Sequence, residues 1–123
     1  MATRPHPTED HLPLPPQAFN VLLALGDGCL HGYGIIQAFE ALTEGSETLL
    51  PGSLYGTLGR MVAASLLEEV GSPAGESSSG PPRRYYQATN LGKSVARAEV
   101  ERMERVLALA RARRLAPEGG KPA

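Results

Sequence analysis

The sequence has a single cysteine and no tryptophan among its 123 residues. One cysteine, Cys29, excludes an intrachain disulfide, so we expect a protein of a reducing compartment, the cytoplasm. No apolar run approaches the roughly 18 residues of a membrane-spanning helix, which predicts no membrane partner. Residues 1–16 are rich in proline and charge and lack the apolar core of a secretion signal.

Arrangements of residues typical of catalysis or metal binding are also missing. Gly92-Lys93-Ser94 is similar to the end of a phosphate-binding loop, but Gln87 stands where the first glycine must fall. Cys29 and His31 are two potential ligands without a further pair at the spacing of a metal site. No acid, base and nucleophile come together, so we expect no enzyme, no cofactor and no bound metal.

Charge is distributed unevenly along the chain, although the net charge is only -1. Residues 1–76 carry two arginines and nine acidic side chains, whereas residues 77–116 carry nine basic and three acidic ones. This asymmetry is compatible with one cationic working face and an acidic back, and equally with a solvated surface that has no such role.

Apolar residues at helical spacing predict a mainly α fold. A first helix starts near Pro16 and stops at Asp27-Gly28, and a second runs from about His31 to Thr43. A third begins at Pro51-Gly52-Ser53, where either Ser53 caps the helix or Pro51 occupies its first turn.

The second half of the chain predicts a β-hairpin followed by a long helix. Residues 66–70 and 84–88 have the composition of two antiparallel strands around a turn at 71–82. Thr89 is a good N-cap for a helix that continues to about Leu115. We therefore expect a disordered arm at 1–15, a winged helix-turn-helix domain at 16–89, a dimerisation helix at 90–116 and a disordered tail at 117–123.

Four sequence pieces in order carry a resemblance to the PadR family of bacterial transcriptional regulators, of the short kind with a single C-terminal helix. They are His31-Gly32-Tyr33-Gly34-Ile35-Ile36, Pro51-Gly52-Ser53-Leu54-Tyr55-Gly56-Thr57-Leu58, Arg83-Arg84-Tyr85-Tyr86 and Thr89-Asn90-Leu91-Gly92. The resemblance implies that the third helix enters the DNA major groove and that the hairpin is the wing. It also implies a repressor that a small-molecule effector releases from its operator.

Candidate DNA contacts follow on the third helix. If Leu54 and Leu58 face inward, then Ser53, Thr57 and Arg60 lie on other faces and can hydrogen-bond bases or phosphates.

Two tyrosines and two arginines add candidates outside that pattern. The resemblance implies a backbone contact for Tyr55, whose alternative is to close the edge of the core. Tyr33 opens the second helix and contacts a phosphate or simply packs. Arg83 and Arg84 suit a narrow minor groove or phosphates, or form a solubilising pair. In the strand that follows, Tyr85 and Tyr86 must point to opposite faces, one into the core and one near DNA.

The chain departs from the family pattern in the third helix. Gly56 and Gly59 stand in the helix interior, where each costs about 1 kcal/mol relative to alanine. Ala63 and Ala64 leave its second half without polar reach, and Ser65 stands where the family commonly has glycine. Direct base readout would therefore depend on few side chains.

The long last helix carries an apolar repeat of seven residues, the spacing that a helix buries against a partner helix. Its members are Ala96, Val100, Met103, Leu107 and Ala110. A homodimer interface explains the repeat, and a helix folded back on its own domain is the alternative. Together these features predict a sequence-specific transcriptional regulator that binds double-stranded operator DNA as a homodimer. The alternative function is a winged-helix protein-interaction module without DNA binding, which the acidic first 76 residues favour.

Overall fold

The computed structural model describes residues 8–71 and 83–117. Within them, four helices and three strands follow a short 3-10 turn at Glu9–His11. The elements are α1 (Pro16–Leu25), β1 (Cys29–His31), α2 (Gly32–Leu42), α3 (Pro51–Ala63), β2 (Leu67–Val70), β3 (Tyr85–Ala88) and α4 (Asn90–Ala112). This mainly helical order, with a small sheet and a long last helix, confirms the predicted winged helix-turn-helix fold.

Local sequence chemistry explains where the helices begin and end. Pro16 and Pro51 each occupy the first turn of a helix, where a missing N–H leaves no intrahelical bond unmade. Leu50 is therefore the N-cap residue of α3, and the alternative that Ser53 caps this helix is wrong. Thr89 caps α4 as predicted, because its hydroxyl accepts the N–H of Gly92 at 2.9 Å.

The end of α3 requires a left-handed residue. Ser65 has φ of 65°, and the N–H of Leu66 reaches back to the carbonyl of Met61 at 2.9 Å. A helix that closes in this way commonly has glycine at the left-handed position, because any Cβ there is strained. The departure at Ser65 is thus a strained turn, which the hydroxyl of Thr89 braces by donating to the carbonyl of Ser65 at 2.6 Å.

The sheet has one strand more than the sequence predicted. β3 lies in the centre and pairs antiparallel with both β1 and β2, with Leu30 opposite Tyr86 and Leu67 opposite Ala88. β1 has three residues, too few for an alternating pattern to be visible in the sequence. The predicted turn at 71–82 lies outside the described residues except for Gly71.

The core lies between the helices and the inner face of the sheet. The fully buried side chains include those of Val21, Ile35, Leu54, Leu58, Leu67 and Val95. Tyr86 joins this core, and Tyr85, on the other face, is equally buried at 5% exposure. The prediction that one of the two tyrosines enters the core is confirmed by Tyr86. That the other lies near DNA stays a prediction, and the ring of Tyr85 packs edge-on against His31.

The segment before α1 is folded onto the domain, which corrects the prediction of a disordered arm for residues 8–15. Leu14 is only 6% exposed, and its N–H donates to Oε1 of Glu99 in α4 at 3.4 Å. Residues 1–7 and 118–123 lie outside the described part of the chain.

A buried carboxylate fixes this segment to α4. Glu99 is 3% exposed and accepts two hydrogen bonds of 2.8 Å from the guanidinium of Arg102. Those bonds lower the pKa of Glu99; burial opposes the shift, and the N–H of Leu14 adds to it. α4 is thereby tied to the domain as far as Glu99. No helix of the described residues is long and apolar enough to cross a membrane.

Candidate nucleic-acid interface

A concave surface of about 590 Å³ opens between α3, the start of α2 and the sheet. Its walls come from the β1–α2 junction, from one flank of α3 and from β2 and the start of β3. The lining residues are His31, Gly32, Tyr33, Tyr55, Gly59, Glu69, Arg83, Arg84 and Tyr86. The concavity therefore lies between the third helix and the wing strands, the two elements for which the resemblance implies DNA contact.

Four of the seven predicted DNA-binding residues meet in this concavity. Tyr33 and Tyr55 are 61% and 58% exposed, and both arginines of the wing are exposed as well. Neither Tyr33 nor Tyr55 is a core residue, so their side chains are accessible to a ligand. Arg83 and Arg84 supply positive charge at the start of β3.

The position of Tyr55 depends on Gly32, which has no side chain. A Cβ on Gly32, the first residue of α2, would lie 2.7 to 2.9 Å from three atoms of the Tyr55 ring. The absence of a side chain at Gly32 thus lets Tyr55 pack across the N-terminus of α2. This contact fixes the separation of α2 and α3 on the concave side.

Ser53, Thr57 and Arg60 are not brought into the concavity. Thr57 is 6% exposed and donates to Oε1 of Gln17 in α1 at 2.5 Å. The amide of Gln17 donates in turn to the hydroxyl of Ser53 at 3.2 Å, and Arg60 donates to the hydroxyl of Thr57 at 3.2 Å. The prediction that Thr57 lies on another face than Leu54 and Leu58 is wrong, because all three are on the buried face of α3. Ser53 and Arg60 remain exposed on the flank away from Tyr55.

The outward ridge of α3 has almost no side chains. Gly52, Gly56, Gly59 and Ala63 follow each other one turn apart, and all four are exposed. A Cβ on Gly52 or Gly59 would meet no atom within 4 Å, so packing inside the domain does not require glycine at either position. A bare ridge permits close approach of another molecule but offers no donors or acceptors to read base edges.

Two residues of the concavity were missed in the sequence. Glu69 adds an acidic residue to the lining that contains the wing arginines, and Nε2 of His31 lies 3.1 Å from Nη1 of Arg83. Glu69 alternates with Glu68 along β2, and a strand places such neighbours on opposite faces, which was the available signal. Within residues 8–71 and 83–117, no three His, Cys, Asp or Glu side chains are grouped to hold a metal ion.

A second surface is the apolar stripe of α4. Beyond Glu99, the helix exposes Val100 (41%), Met103 (37%) and Leu107 (41%) from the predicted repeat, together with Val106 (49%). Ala96, the first member of the repeat, packs against the core of its own domain, and Ala110 is half-buried. The intrachain packing thus ends where the exposed part of the repeat begins.

Comparison with known proteins identifies a family for this chain. The model of the transcriptional regulator PadR-like family matches residues 21–98. An uncharacterised 37.1 kDa protein in transposon Tn4556 of Streptomyces fradiae is 38% identical over 89 residues. That match covers 70% of this chain but only 22% of the length of the relative.

Solved structures are similar over most of the chain. A PadR family transcription regulator from Clostridium difficile R20291 is 26% identical with a TM-score of 0.66, over 80% of this chain and 97% of that one. The fold is also that of Bacillus subtilis PadR in complex with operator DNA, at 16% identity and a TM-score of 0.61, over 70% of this chain and 47% of that one. Since the family model covers more than half of its length, the chain belongs to the PadR-like family of transcriptional regulators.

Proposed function

We propose that this regulator binds double-stranded operator DNA as a homodimer, with residues 16–89 as the DNA-binding domain and residues 90–116 as the dimerisation helix. The observation that carries the proposal is the meeting of Tyr33, Tyr55, Arg83 and Arg84 in one concavity between α3 and the wing. Tyrosine hydroxyls and guanidinium groups are common partners of phosphate oxygens. The solved complex of Bacillus subtilis PadR with operator DNA shares this fold and supports the assignment.

The wing arginines provide the direct test of DNA binding. Each phosphate that a cationic side chain neutralises contributes about 0.9 to the slope of log K against log salt concentration. Replacement of Arg83 and Arg84 by alanine should therefore weaken binding to all duplexes and reduce the slope by about 1.8 for each bound subunit, or about 3.6 for the dimer. Arg97→Ala with Arg105→Ala removes the same charge from exposed positions of α4 and is the matched control. An unchanged slope in the wing variant would contradict a phosphate contact by the wing.

The dimer rests on the stripe of Val100, Met103, Val106 and Leu107, which no part of the described chain covers. Met103→Glu with Leu107→Glu places like charges in this stripe, the proposed dimer seam, and should convert a dimer into monomers in sedimentation equilibrium. Ala108→Glu with Ala112→Glu adds the same charge on the other face of α4, where both positions are exposed, and should leave the dimer intact. A wild type that sediments as a folded monomer at micromolar concentration would contradict the homodimer.

We further propose a repressor that a small molecule releases, a role that the family resemblance supports. The described residues include an apolar groove of about 210 Å³ between α1, α3 and the segment before α1, with Leu14, Ala18, Met61 and Leu66 in its lining. A ligand in this groove would press on the inner side of α3 beside Arg60. Expression of a reporter behind the bound operator, with and without this protein, decides between repression and activation.

The bare ridge of α3 favours one second candidate, a protein-interaction module. A surface of Gly52, Gly56, Gly59 and Ala63 lets another backbone approach closely, and residues 8–71 are acidic overall. A broad selection of random duplexes with the wild type separates the two functions. Enrichment of any sequence supports the regulator, and failure to retain DNA at low salt supports the module.

A further inference from the structure

His31 has a defined tautomer because it caps α2. Its Nδ1 atom accepts the N–H of Gly34 at 3.0 Å, so Nδ1 carries a lone pair rather than a hydrogen. A neutral imidazole has one hydrogen, which must then lie on Nε2. The ring is held in this orientation by the edge-on contact with Tyr85, at 5.2 Å between ring centroids.

Nε2 of His31 lies 3.1 Å from Nη1 of Arg83. A guanidinium has donors and no acceptor, and Nε2 in this tautomer is also a donor. Neither group can accept from the other, so two N–H donors meet at hydrogen-bonding distance. Turning the imidazole ring over would leave the N–H of Gly34 without an acceptor. The two donors are therefore satisfied only by a third group that accepts a hydrogen bond from each of them.

We propose that His31 and Arg83 together bind one backbone phosphate of DNA. A phosphate oxygen accepts several hydrogen bonds, and its negative charge pairs with the positive charge of Arg83, which His31 does not balance. The two donors open into the concavity beside the exposed side chains of Tyr33 and Tyr55. This inference rests on the proposed function and adds His31 to it, as the residue that orients the phosphate against the wing.

His31→Asn separates the two roles of this residue. Asparagine is among the best N-cap residues and keeps an acceptor for Gly34, but it has no donor at the position of Nε2. The variant should keep its melting temperature and lose at least about tenfold in DNA affinity for each bound subunit, the effect of one hydrogen bond to a charged group. The salt dependence of its binding should stay that of the wild type, because the lost group is neutral. Arg83→Ala should reduce the slope by about 0.9 for each bound subunit, or about 1.8 for the dimer.

The double variant tests whether the two residues share one phosphate. Residues that contact the same group are coupled, so the double variant should lose less affinity than the product of the two single losses. His31→Asp is a second variant, which caps α2 equally well but pairs with Arg83. It should reduce both the affinity and the salt slope. Independent effects of His31→Asn and Arg83→Ala, or wild-type affinity in His31→Asn, would overturn the shared phosphate.

The tautomer can be measured without DNA, in the long-range ¹⁵N–¹H spectrum of the wild-type imidazoles. The proposal requires Nε2 of His31 to be protonated and Nδ1 unprotonated, and the reverse tautomer would overturn it whatever the protein binds. Addition of duplex DNA should shift the Nε2–H signal, and inorganic phosphate at the same charge concentration should not. A shift with inorganic phosphate alone would overturn the DNA assignment in favour of a free anion site. If the wild type binds no duplex at all, the proposed function fails; if it binds and His31→Asn binds equally, only this inference fails.

Discussion

Gly92→Ala is expected to destabilise the protein, although alanine is the better helix former. Gly92 lies in the first turn of α4, where this helix packs against the backbone of Leu66 between α3 and β2. A Cβ there would overlap the carbonyl oxygen of Leu66 and lie 3.1 Å from its carbonyl carbon. The same backbone carbonyl accepts the N–H of Thr89 at 3.1 Å, so it cannot move away freely.

The magnitude follows from the displacement that the methyl group requires. α4 must move by about 1 Å relative to Leu66, and overpacking of this kind in a close-packed interior costs about 1–3 kcal/mol. The movement also disturbs the hydrogen bond of Thr89 to Ser65, which contributes about 0.5–1.5 kcal/mol. Against this, alanine gains up to about 1 kcal/mol in helix propensity. We expect a net loss of about 2 kcal/mol, which lowers Tm by roughly 8 °C in a chain of 123 residues.

Gly59→Ala is the matched control, because it makes the same chemical change inside a helix where a Cβ meets no atom within 4 Å. That variant should gain up to about 1 kcal/mol of stability from helix propensity alone. Urea unfolding followed by circular dichroism gives the free energy of unfolding of both variants. Equal stabilisation by the two substitutions would refute the assignment of Gly92 as the contact point of α4 with the backbone of Leu66.

Three further predictions concern charge and strain. Glu69→Gln should raise DNA affinity about twofold to fivefold at low salt, because it removes a carboxylate from the concavity, and the gain should decrease as the salt concentration rises. Glu68→Gln is the control, since the carboxylate of Glu68 accepts from Gln87 outside the concavity. It should change the affinity less in the same mobility-shift titration. Ser65→Gly should stabilise the domain by about 0.5–1 kcal/mol in urea unfolding, since it relieves a left-handed residue, and a destabilised variant would contradict the strain. Glu99→Gln should cost about 1–3 kcal/mol at neutral pH, because it weakens the bonds from Arg102 and Leu14. Folding lowers the pKa of Glu99, so the contribution of its carboxylate to stability is complete above the ordinary pKa of 4.5 and is lost as the pH falls through the folded-state pKa. The difference in free energy of unfolding between the wild type and Glu99→Gln should therefore decrease in acid, and a constant difference would contradict this assignment.

Much of the fold was predictable because its signals are local. Pro51 in a first turn, Thr89 as a cap and apolar residues at helical spacing each act within a few neighbours along the chain. The strand β1 was not predictable, because three residues carry no period and the strand exists only through its pairing with β3. The fold of residues 8–15 was missed for a related reason, since the acceptor of the Leu14 N–H is Glu99, 85 residues away.

The candidate site was predicted in part. Tyr33, Tyr55, Arg83 and Arg84 could be found because their family motifs are contiguous in the sequence. The error at Thr57 has a physical cause: a threonine hydroxyl on an inner face is compatible with burial once another side chain accepts its hydrogen. Gln17 supplies that acceptor from α1, and nothing in its sequence context shows it.

The distribution of side chains over the interface determines how this regulator can discriminate among DNA sequences. The side chains of α3 that can form hydrogen bonds lie at its two edges, whereas the ridge of Gly52, Gly56 and Gly59 offers no donor or acceptor side chain. Affinity must then come mainly from phosphates, which attract every sequence alike, and Arg60 is the one charged side chain on α3. A single domain of this kind should discriminate weakly. In the proposed homodimer, two domains held by α4 would accept only half-sites at one spacing, about 34–36 Å or a multiple of it. We therefore expect the dimer seam to determine operator choice as strongly as the third helix does. Monomers made by Met103→Glu with Leu107→Glu should lose the preference for the selected operator over random duplexes while they retain the salt dependence of one domain.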